Sequence, residues 1–261
     1  MGFFSLASGS TGNSVYLGTS STKILFDVGI SGKMLSQRLL DIDLCIEKIN
    51  AILVTHEHRD HVQGIGVIAK RFAMPIYCNK ETAGGLLRIF GAAVQPNLHI
   101  FLTGESFQIG DIHIQSFSIQ HDALDPVGFV ALAHGMKFCI CADLGYATSI
   151  VKYYLQGCHF LYLEANHDEQ MVMDSSRPFF CKQRTLSRQG HLSNSSCGNL
   201  LVDIWHPRVK HVYLAHLSRE CNDPVLALHT VQEILFRHDK SVSLSVTHPD
   251  KIARCPVLFS V

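Results

Sequence analysis

Four side chains able to bind a metal ion fall within six consecutive positions: His56, His58, Asp60 and His61, in the run Thr55-His56-Glu57-His58-Arg59-Asp60-His61. Neutral imidazole together with carboxylate is a donor set suited to zinc, manganese or iron(II). The crowding of donors suggests two ions. One histidine among the sixteen of this chain would be read as a surface or core residue. Four donors at the mouth of a strand are hard to explain by packing, because burying that much imidazole and carboxylate without a partner costs several kcal/mol. The zincin pattern His-Glu-x-x-His is excluded, since its second histidine would fall where Asp60 stands.

The flanking residues say how these donors are held. Ile49 to Val54 is an apolar, β-branched run that reads as a buried strand, and Val62 to Phe72 reads as a helix. The donors therefore sit on a strand-to-helix turn. His56 and His58, two apart in extended backbone, point the same way, while Asp60 and His61 occupy the helix start.

His-x-His-x-Asp-His is the signature of the metallo-β-lactamase superfamily, and this chain resembles that superfamily throughout. Asp27 in Ile24-Leu25-Phe26-Asp27-Val28-Gly29 is similar to the first superfamily motif, and His121 in Ser118-Ile119-Gln120-His121-Asp122-Ala123 to the third. Asp143 in Cys141-Ala142-Asp143-Leu144-Gly145 and His216 in Leu214-Ala215-His216-Leu217-Ser218 are similar to the fourth and fifth. All occur in order, each at the end of an apolar, β-rich run. The resemblance implies that His56, His58 and His121 hold one metal and that Asp60, His61 and His216 hold the second, with Asp143 bridging. Asp27 then braces the histidine loop without binding metal itself. Two ions about 3.5–4 Å apart would share a hydroxide nucleophile and neutralise a phosphate's developing charge. Zn2+ is the default for such a set, with Mn2+ or Fe2+ also compatible.

Further segments narrow the resemblance to the YycJ/WalJ-type subgroup of compact metallo-β-lactamase nucleases, whose members have been assigned as DNA exonucleases. They are the opening loop Ser8-Gly9-Ser10-Thr11-Gly12-Asn13-Ser14, the run Glu164-Ala165-Asn166-His167-Asp168, and Gly190-His191-Leu192-Ser193-Asn194. In related tRNA-processing enzymes a Glu and a His from two such segments form a dyad at the scissile phosphate, and Glu164 and His191 fill those positions. A carboxylate raises the pKa of a neighbouring imidazole and keeps a proton available for the leaving alkoxide. The resemblance thus implies a dinuclear phosphodiester hydrolase acting on DNA as a 5'-to-3' exonuclease, with Asp60, Glu164 and His191 in its catalytic machinery. Nothing in the residues themselves favours DNA over RNA. Ser10 and Asn13, in a loop whose composition equally suits a tight hairpin turn, are candidate phosphate contacts. So are Ser193 and Asn194, one of which also suits a helix cap. His167 and Asp168 could reach the site. Arg177, Lys182, Arg184 and Arg188 cluster before His191 and could contact a nucleic-acid backbone or form a solvated face. The stretch from Asp143 to His216 is too short for the large inserted domain of β-CASP nucleases.

Composition sets the bounds. At 261 residues and 47% hydrophobic, the chain suits one domain, 1–261, with a sizeable core. A formal net charge of zero argues against a strongly basic nucleic-acid binder but leaves room for a local basic groove. Nine cysteines without a Cys-x-x-Cys pair suggest no disulfide framework and a reducing compartment. Met1-Gly2-Phe3-Phe4-Ser5-Leu6 lacks a basic n-region, and no apolar run approaches membrane-spanning length. A soluble cytoplasmic protein without a membrane partner is the expectation.

Elsewhere the pattern predicts strands at Phe3–Ala7, Val15–Gly18, Lys23–Phe26, Pro75–Cys78, Leu98–Leu102, Asp111–Ile119, Val127–His134, Lys137–Ala142, Phe160–Leu163, Val209–Ala215 and Val242–Val246. It predicts helices at Ser31–Leu40, Lys80–Phe90, Tyr146–Leu155, from Ser195, and from Asp223-Pro224 to about His238. The contiguous strands suggest one sheet and the βα alternation a second. Helices outside two packed sheets, the four-layer αββα sandwich, is the α/β layer solution the resemblance also implies. A thioester or lactone hydrolase on the same metals is the rival enzyme, but it has no need of Glu164 and His191. β-Lactam cleavage fits poorly with Asp143 at the fourth motif, and a flavodiiron-type oxidoreductase fits poorly with His58. From another class, a non-catalytic metal-binding regulatory protein would be favoured by loss of a ligand, and none is lost.

Overall fold

Turn residues and caps divide the chain into two halves built alike. In the first, β1 (Gly2–Ala7), β2 (Ser14–Gly18) and β3 (Lys23–Phe26) form an antiparallel meander. Helix α1 (Gly32–Leu40), capped by Ser31 accepting from Met34 N, leads to β4 (Ala51–Leu53), which pairs parallel to β3. Helices α2 (Arg59–Val62) and α3 (Ile65–Phe72) lead to β5 (Ile76–Asn79), and α4 (Lys80–Phe90) to β6 (Leu98–Phe101), both parallel additions. In the second half, β7 (Ser106–Ile109), β8 (Ile112–Ser118), β9 (Val127–Ala133) and β10 (Met136–Cys141) make the meander. Then α5 (Ser149–Leu155) leads to β11 (Phe160–Glu164), parallel to β10. Helices α6 (Glu169–Asp174), α7 (Phe179–Leu186) and α8 (Asn194–Asp203) precede β12 (His211–Ala215), and α9 (Pro224–Arg237) precedes β13 (Ser243–Val246). A short β14 (Ala253–Arg254) returns to the free edge of β1. This is a computed structural model describing residues 1–255, so residues 256–261 of the expected domain lie outside the described residues.

Among the described residues the sheet orders are β14-β1-β2-β3-β4-β5-β6 and β13-β12-β11-β10-β9-β8-β7. Their facing sides meet in an aromatic layer of Phe3, Phe26, Phe129, Phe138, Phe160 and Tyr213, each at most 1% exposed. Each such ring contributes roughly 2–3 kcal/mol of burial. Leu35, Leu39, Ile65, Ile68 and Leu86 close the outer face of the first sheet, and Val151, Leu155, Leu200, Val231 and Leu235 that of the second. The result is the predicted αββα sandwich.

The sheets do not divide as expected. Contiguous strands and βα units are not segregated, because each sheet is half meander and half βα. Strands β7 and β14 were not anticipated. The helix expected over Val62–Phe72 is two pieces, since Gly64 N donates to Val28 O at 2.8 Å and a Cβ at Gly64 would lie 2.3 Å from Ile30 O. The helix expected from Tyr146 starts only at Ser149, where Thr148 accepts from Val151 N.

Candidate metal centre

The donors converge at one rim of the sandwich, where β3, β4, β10, β11 and β12 end. Asp27, Asp143 and His216, each immediately or closely following its strand, have left-handed backbone, with φ of 60°, 53° and 55°. Each such non-glycine residue costs on the order of 1 kcal/mol or more and persists only where its surroundings hold it. His216 N donates to Ser8 Oγ at 2.8 Å, and Asn166 Nδ2 donates to His216 O at 2.7 Å. Asp27 N donates to Leu53 O at 2.8 Å. Ser8 in turn accepts from the buried Tyr162 hydroxyl at 2.6 Å.

Three donor groups result among the described residues, one of them Asp143, Glu164, His191 and His216, which shares Asp143 and His216 with its neighbour. The ligand-capable atoms of His56, His58 and His121 lie within 4.8 Å of one another, and so do those of Asp60, His61, Asp143 and His216. Asp143 sits between them: Oδ2 is 2.5 Å from His61 Nε2 and 3.6 Å from His56 Nε2, and Oδ1 contacts His216 Nδ1. Despite these approaches, both Asp143 oxygens, His56 Nε2 and His216 Nδ1 are buried without a hydrogen bond of acceptable geometry. Buried polar atoms are rarely left so, and lone pairs that converge without bonding are what a divalent cation satisfies. The residues fit the metal reading.

Protonation follows the same geometry. Burial, reinforced by His61, pushes His56 well below the usual imidazole value and holds it neutral, the form that binds metal. Burial opposes ionisation of Asp143, but His216 and His61 outweigh it and hold the carboxyl well below the usual range. Those two rings are raised in return, against burial, chiefly by Asp143, so cation binding would release their protons.

The turn itself is braced from beneath. Asp27 Oδ1 accepts from Thr55 N at 2.8 Å, and Oδ2 accepts from the Thr55 hydroxyl and from His61 Nδ1, each at 2.8 Å. A proton on Nδ1 leaves the Nε2 lone pair of His61 facing Asp143. The opening loop lies directly on this turn: Asn13 N donates to Asp60 O at 2.8 Å, and a Cβ at Gly29 would stand 1.6 Å from that oxygen. Only glycine permits the approach.

Glu164, fully buried, holds the second feature of the site. Its Oε1 is 2.8 Å from His191 Nδ1, while Oε2 accepts from Leu144 N at 2.5 Å and Leu192 N at 3.2 Å. His191 Nδ1 is also 3.4 Å from Asp143 Oδ1. Burial lowers the His191 pKa, but the Glu164 and Asp143 carboxylates prevail and raise it to about 9. His191 and His216 open onto a cavity of about 440 Å³ shared with Ser10, Asn166, Arg184 and Ser218. An apolar hollow of similar size, against Phe117, Ile150 and Tyr153, presents no histidine or carboxylate.

Of the residues singled out as phosphate contacts, Ser10 is exposed on the cavity wall. The others are not brought there. Asn13 is 2% exposed, and its amide exchanges hydrogen bonds with Gly9 and reaches Asp60 and His61. Ser193 caps α8 by accepting from Ser196 N, and the buried Asn194 pairs with Asn222. His167 is buried with its backbone bridged to Ser193, and Asp168 caps α6. Ser8, Thr55, Tyr162 and Asn166 were missed as supports of the centre. Ser8 and His216 are 208 positions apart, so no local pattern joins them.

A mixed-sheet αββα sandwich with a seven-residue His/Asp centre at the strand ends defines a class of metal-dependent hydrolase. The chain belongs to the β-lactamase superfamily: a profile described as "Beta-lactamase superfamily domain" matches residues 22–217. Among characterised proteins it is similar to exodeoxyribonuclease YycJ of Bacillus anthracis, 36% identical over 233 residues, covering 89% of this chain and 88% of that one. It is similar also to exodeoxyribonuclease WalJ of Streptococcus pneumoniae, 37% identical over 251 residues, 94% and 93% of the two chains. The subgroup suggested by the short motifs is thereby borne out. Its fold matches the metallo-β-lactamase fold protein YhfI from Bacillus subtilis with a TM-score of 0.73 at 14% identity, covering 97% and 98%. Among the described residues no helix is long and apolar enough to cross a membrane.

Proposed function

We propose that this chain is a dinuclear exodeoxyribonuclease that shortens DNA in the 5'-to-3' direction, with 1–261 acting as one catalytic domain. The observation that carries the reading is the Glu164–His191 pair at 2.8 Å, placed against Asp143 and opening onto the cavity. A thioester hydrolase has no use for it. The likeness to proteins named exodeoxyribonucleases supports DNA as substrate.

In this reading His56, His58 and His121 hold one cation, Asp60, His61 and His216 hold the other, and Asp143 serves both. Two divalent ions bound there, zinc by the chemistry of the donor set with manganese or iron(II) as substitutes, would supply an activated water and neutralise phosphate charge. Asp27 keeps His61 in the tautomer that presents Nε2. Glu164 fixes the His191 ring through Nδ1 and keeps it protonated at neutral pH, which leaves Nε2 to donate a proton to the departing sugar oxygen. The exposed Ser10, which lines the same cavity, would donate its hydroxyl to a non-bridging phosphate oxygen.

The test combines metal analysis with end-labelled linear DNA, circular DNA, linear RNA and a thioester, using wild type, His58→Ala and His191→Ala. The expected result is two metals per wild-type chain and linear DNA shortened from its 5' end. His58→Ala loses metal and activity, while His191→Ala keeps metal and loses activity. Cleavage of the thioester alone, with His191→Ala as active as wild type, would sink the proposal.

A further inference from the structure

Helix α7 presents two large apolar rings to solvent, Phe179 at 67% and Phe180 at 69% exposure. Of its eight residues only Thr185 is buried, so the core does not account for the aromatic pair. Phe180 stands on the wall of the cavity that holds His191 and His216, and Arg177 and Arg184 line the same wall, three residues before and four after it. Phe180 and Arg184, four apart within α7, share one helical face, while Arg177 reaches the cavity from the extended turn ahead of Pro178, the helix cap. Charge is segregated here as well. Between Ser175 and Gly190 the chain carries Arg177, Lys182, Arg184 and Arg188 and no carboxylate, within a protein whose formal net charge is zero.

The two cavity guanidiniums are held in position. Arg177 Nε donates to Glu220 at 2.7 Å, and Arg184 Nε is bonded to Asp122, the residue next to His121. Both bonds engage Nε, so the terminal nitrogens of each guanidinium remain for another anion. The remaining cations face elsewhere, with Lys182 Nζ donating to Met173 O at 2.6 Å and Arg188 lying over the Tyr146 ring at 4.1 Å.

From this juxtaposition we infer that the α7 wall is a stacking platform for one nucleobase of a single-stranded DNA end, with Phe180 as the stacking ring and Arg177 and Arg184 gripping the adjoining phosphates. An aromatic face accepts any base, whereas guanidiniums accept any phosphate. The platform is continuous with the cavity containing His191, so a base seated on Phe180 sets which phosphate reaches the centre. It holds an unpaired end without reading its sequence, because every base presents a face that can stack on Phe180. The inference rests on the exodeoxyribonuclease reading.

The test compares kcat/KM on two single-stranded 5'-end oligonucleotides, one natural and one with abasic sugars through its first four positions, for the metal-loaded wild type, Phe180→Ala and Phe180→Trp. Base stacking on an aromatic side chain corresponds to roughly ten-fold in affinity. Wild type is expected to prefer the natural end about ten-fold, Phe180→Trp to keep that preference, and Phe180→Ala to lose it. A folding defect or a blunt loss of activity would lower both rates and leave the ratio in place. If Phe180→Ala still discriminates as wild type does, the platform is wrong. It is equally wrong if the ratio is one throughout and Phe180→Ala instead changes the oligomeric state by light scattering, which would assign the rings to a contact between chains. Failure of wild type to degrade either oligonucleotide would overturn the exodeoxyribonuclease reading itself.

Discussion

Replacing Asp27 by Asn should remove one cation and leave the other. The Asp27 carboxylate, 4% exposed, accepts three hydrogen bonds at 2.8 Å: from Thr55 N on Oδ1, and from the Thr55 hydroxyl and His61 Nδ1 on Oδ2. An amide keeps one acceptor oxygen for Thr55 N and sets an NH2 group where Oδ2 stood. The Thr55 hydroxyl can rotate to accept from it. His61 cannot keep both its bond and its proton on Nδ1, and the proton must move to Nε2, which lies 2.5 Å from Asp143. A protonated Nε2 is no ligand. Loss of a hydrogen bond to a charged group is worth about 1.5–3 kcal/mol, or roughly 10–150-fold in affinity. That agrees with the 10–100-fold commonly lost when a ligand's supporting carboxylate is altered. The group of His56, His58 and His121 makes no bond to Asp27 and should keep its ion. Dialysis against graded chelator followed by elemental analysis should show one ion held as in wild type and one lost at about 10–100-fold lower chelator strength. Circular dichroism would establish that the fold is intact. Two ions retained within threefold of wild type, or both lost together from a folded protein, would refute this account of how the turn is braced.

Other outcomes follow from the same geometry. In Glu164→Gln one of the two carboxylates that lift His191 to about 9 is gone, while burial and Asp143 remain, so the ring's pKa falls. A reaction that needs the protonated ring then fails at lower pH, and the alkaline limb of kcat should move down by about one pH unit or more. An unmoved limb would show that His191 is not the acid. His211, fully buried between the hydroxyls of Ser243 at 2.9 Å and Ser245 at 2.8 Å, is pushed down to about 4 by burial. Because that value lies below the unfolded one of about 6.5, its contribution to stability is complete above pH 6.5 and is lost as pH falls towards 4. The loss should reach about 2 kcal/mol between pH 7.5 and 5. Urea denaturation of wild type and His211→Gln should therefore diverge in pH slope over that window, and parallel slopes would contradict it.

Much of the centre was legible because its chemistry is local. His56, His58, Asp60 and His61 lie on one strand-turn-helix, and two-residue alternation in extended backbone already places the first two imidazoles together. The other motif residues, Asp27, His121, Asp143 and His216, were found through the resemblance to the superfamily motifs, each at the end of an apolar run. The αββα layering is what that resemblance and the strand and helix pattern both imply. Asn13 and Asn194 show where that reasoning stops. Asparagine in a glycine-rich loop or at a helix start suits anion binding by composition, yet Asn13 is committed to Gly9, Asp60 and His61, and Asn194 to Asn222. Composition states what a side chain can bond, not what it meets.

By itself, then, the sequence determined the four donors of the histidine turn and the order of strands and helices, because periodicity and metal-ligand chemistry are properties of neighbouring residues. His121, Asp143, His216 and the layered fold were legible through the resemblance to the superfamily. Only the tertiary structure decided which sheet each strand joined and that Asn13 and Asn194 turn away from the cavity. It alone placed Ser8 beneath His216 across 208 positions and left Phe180 uncovered on the wall of the cavity. Those relations depend on how two sheets pack over their shared aromatic layer, and no short stretch of the chain encodes that distance.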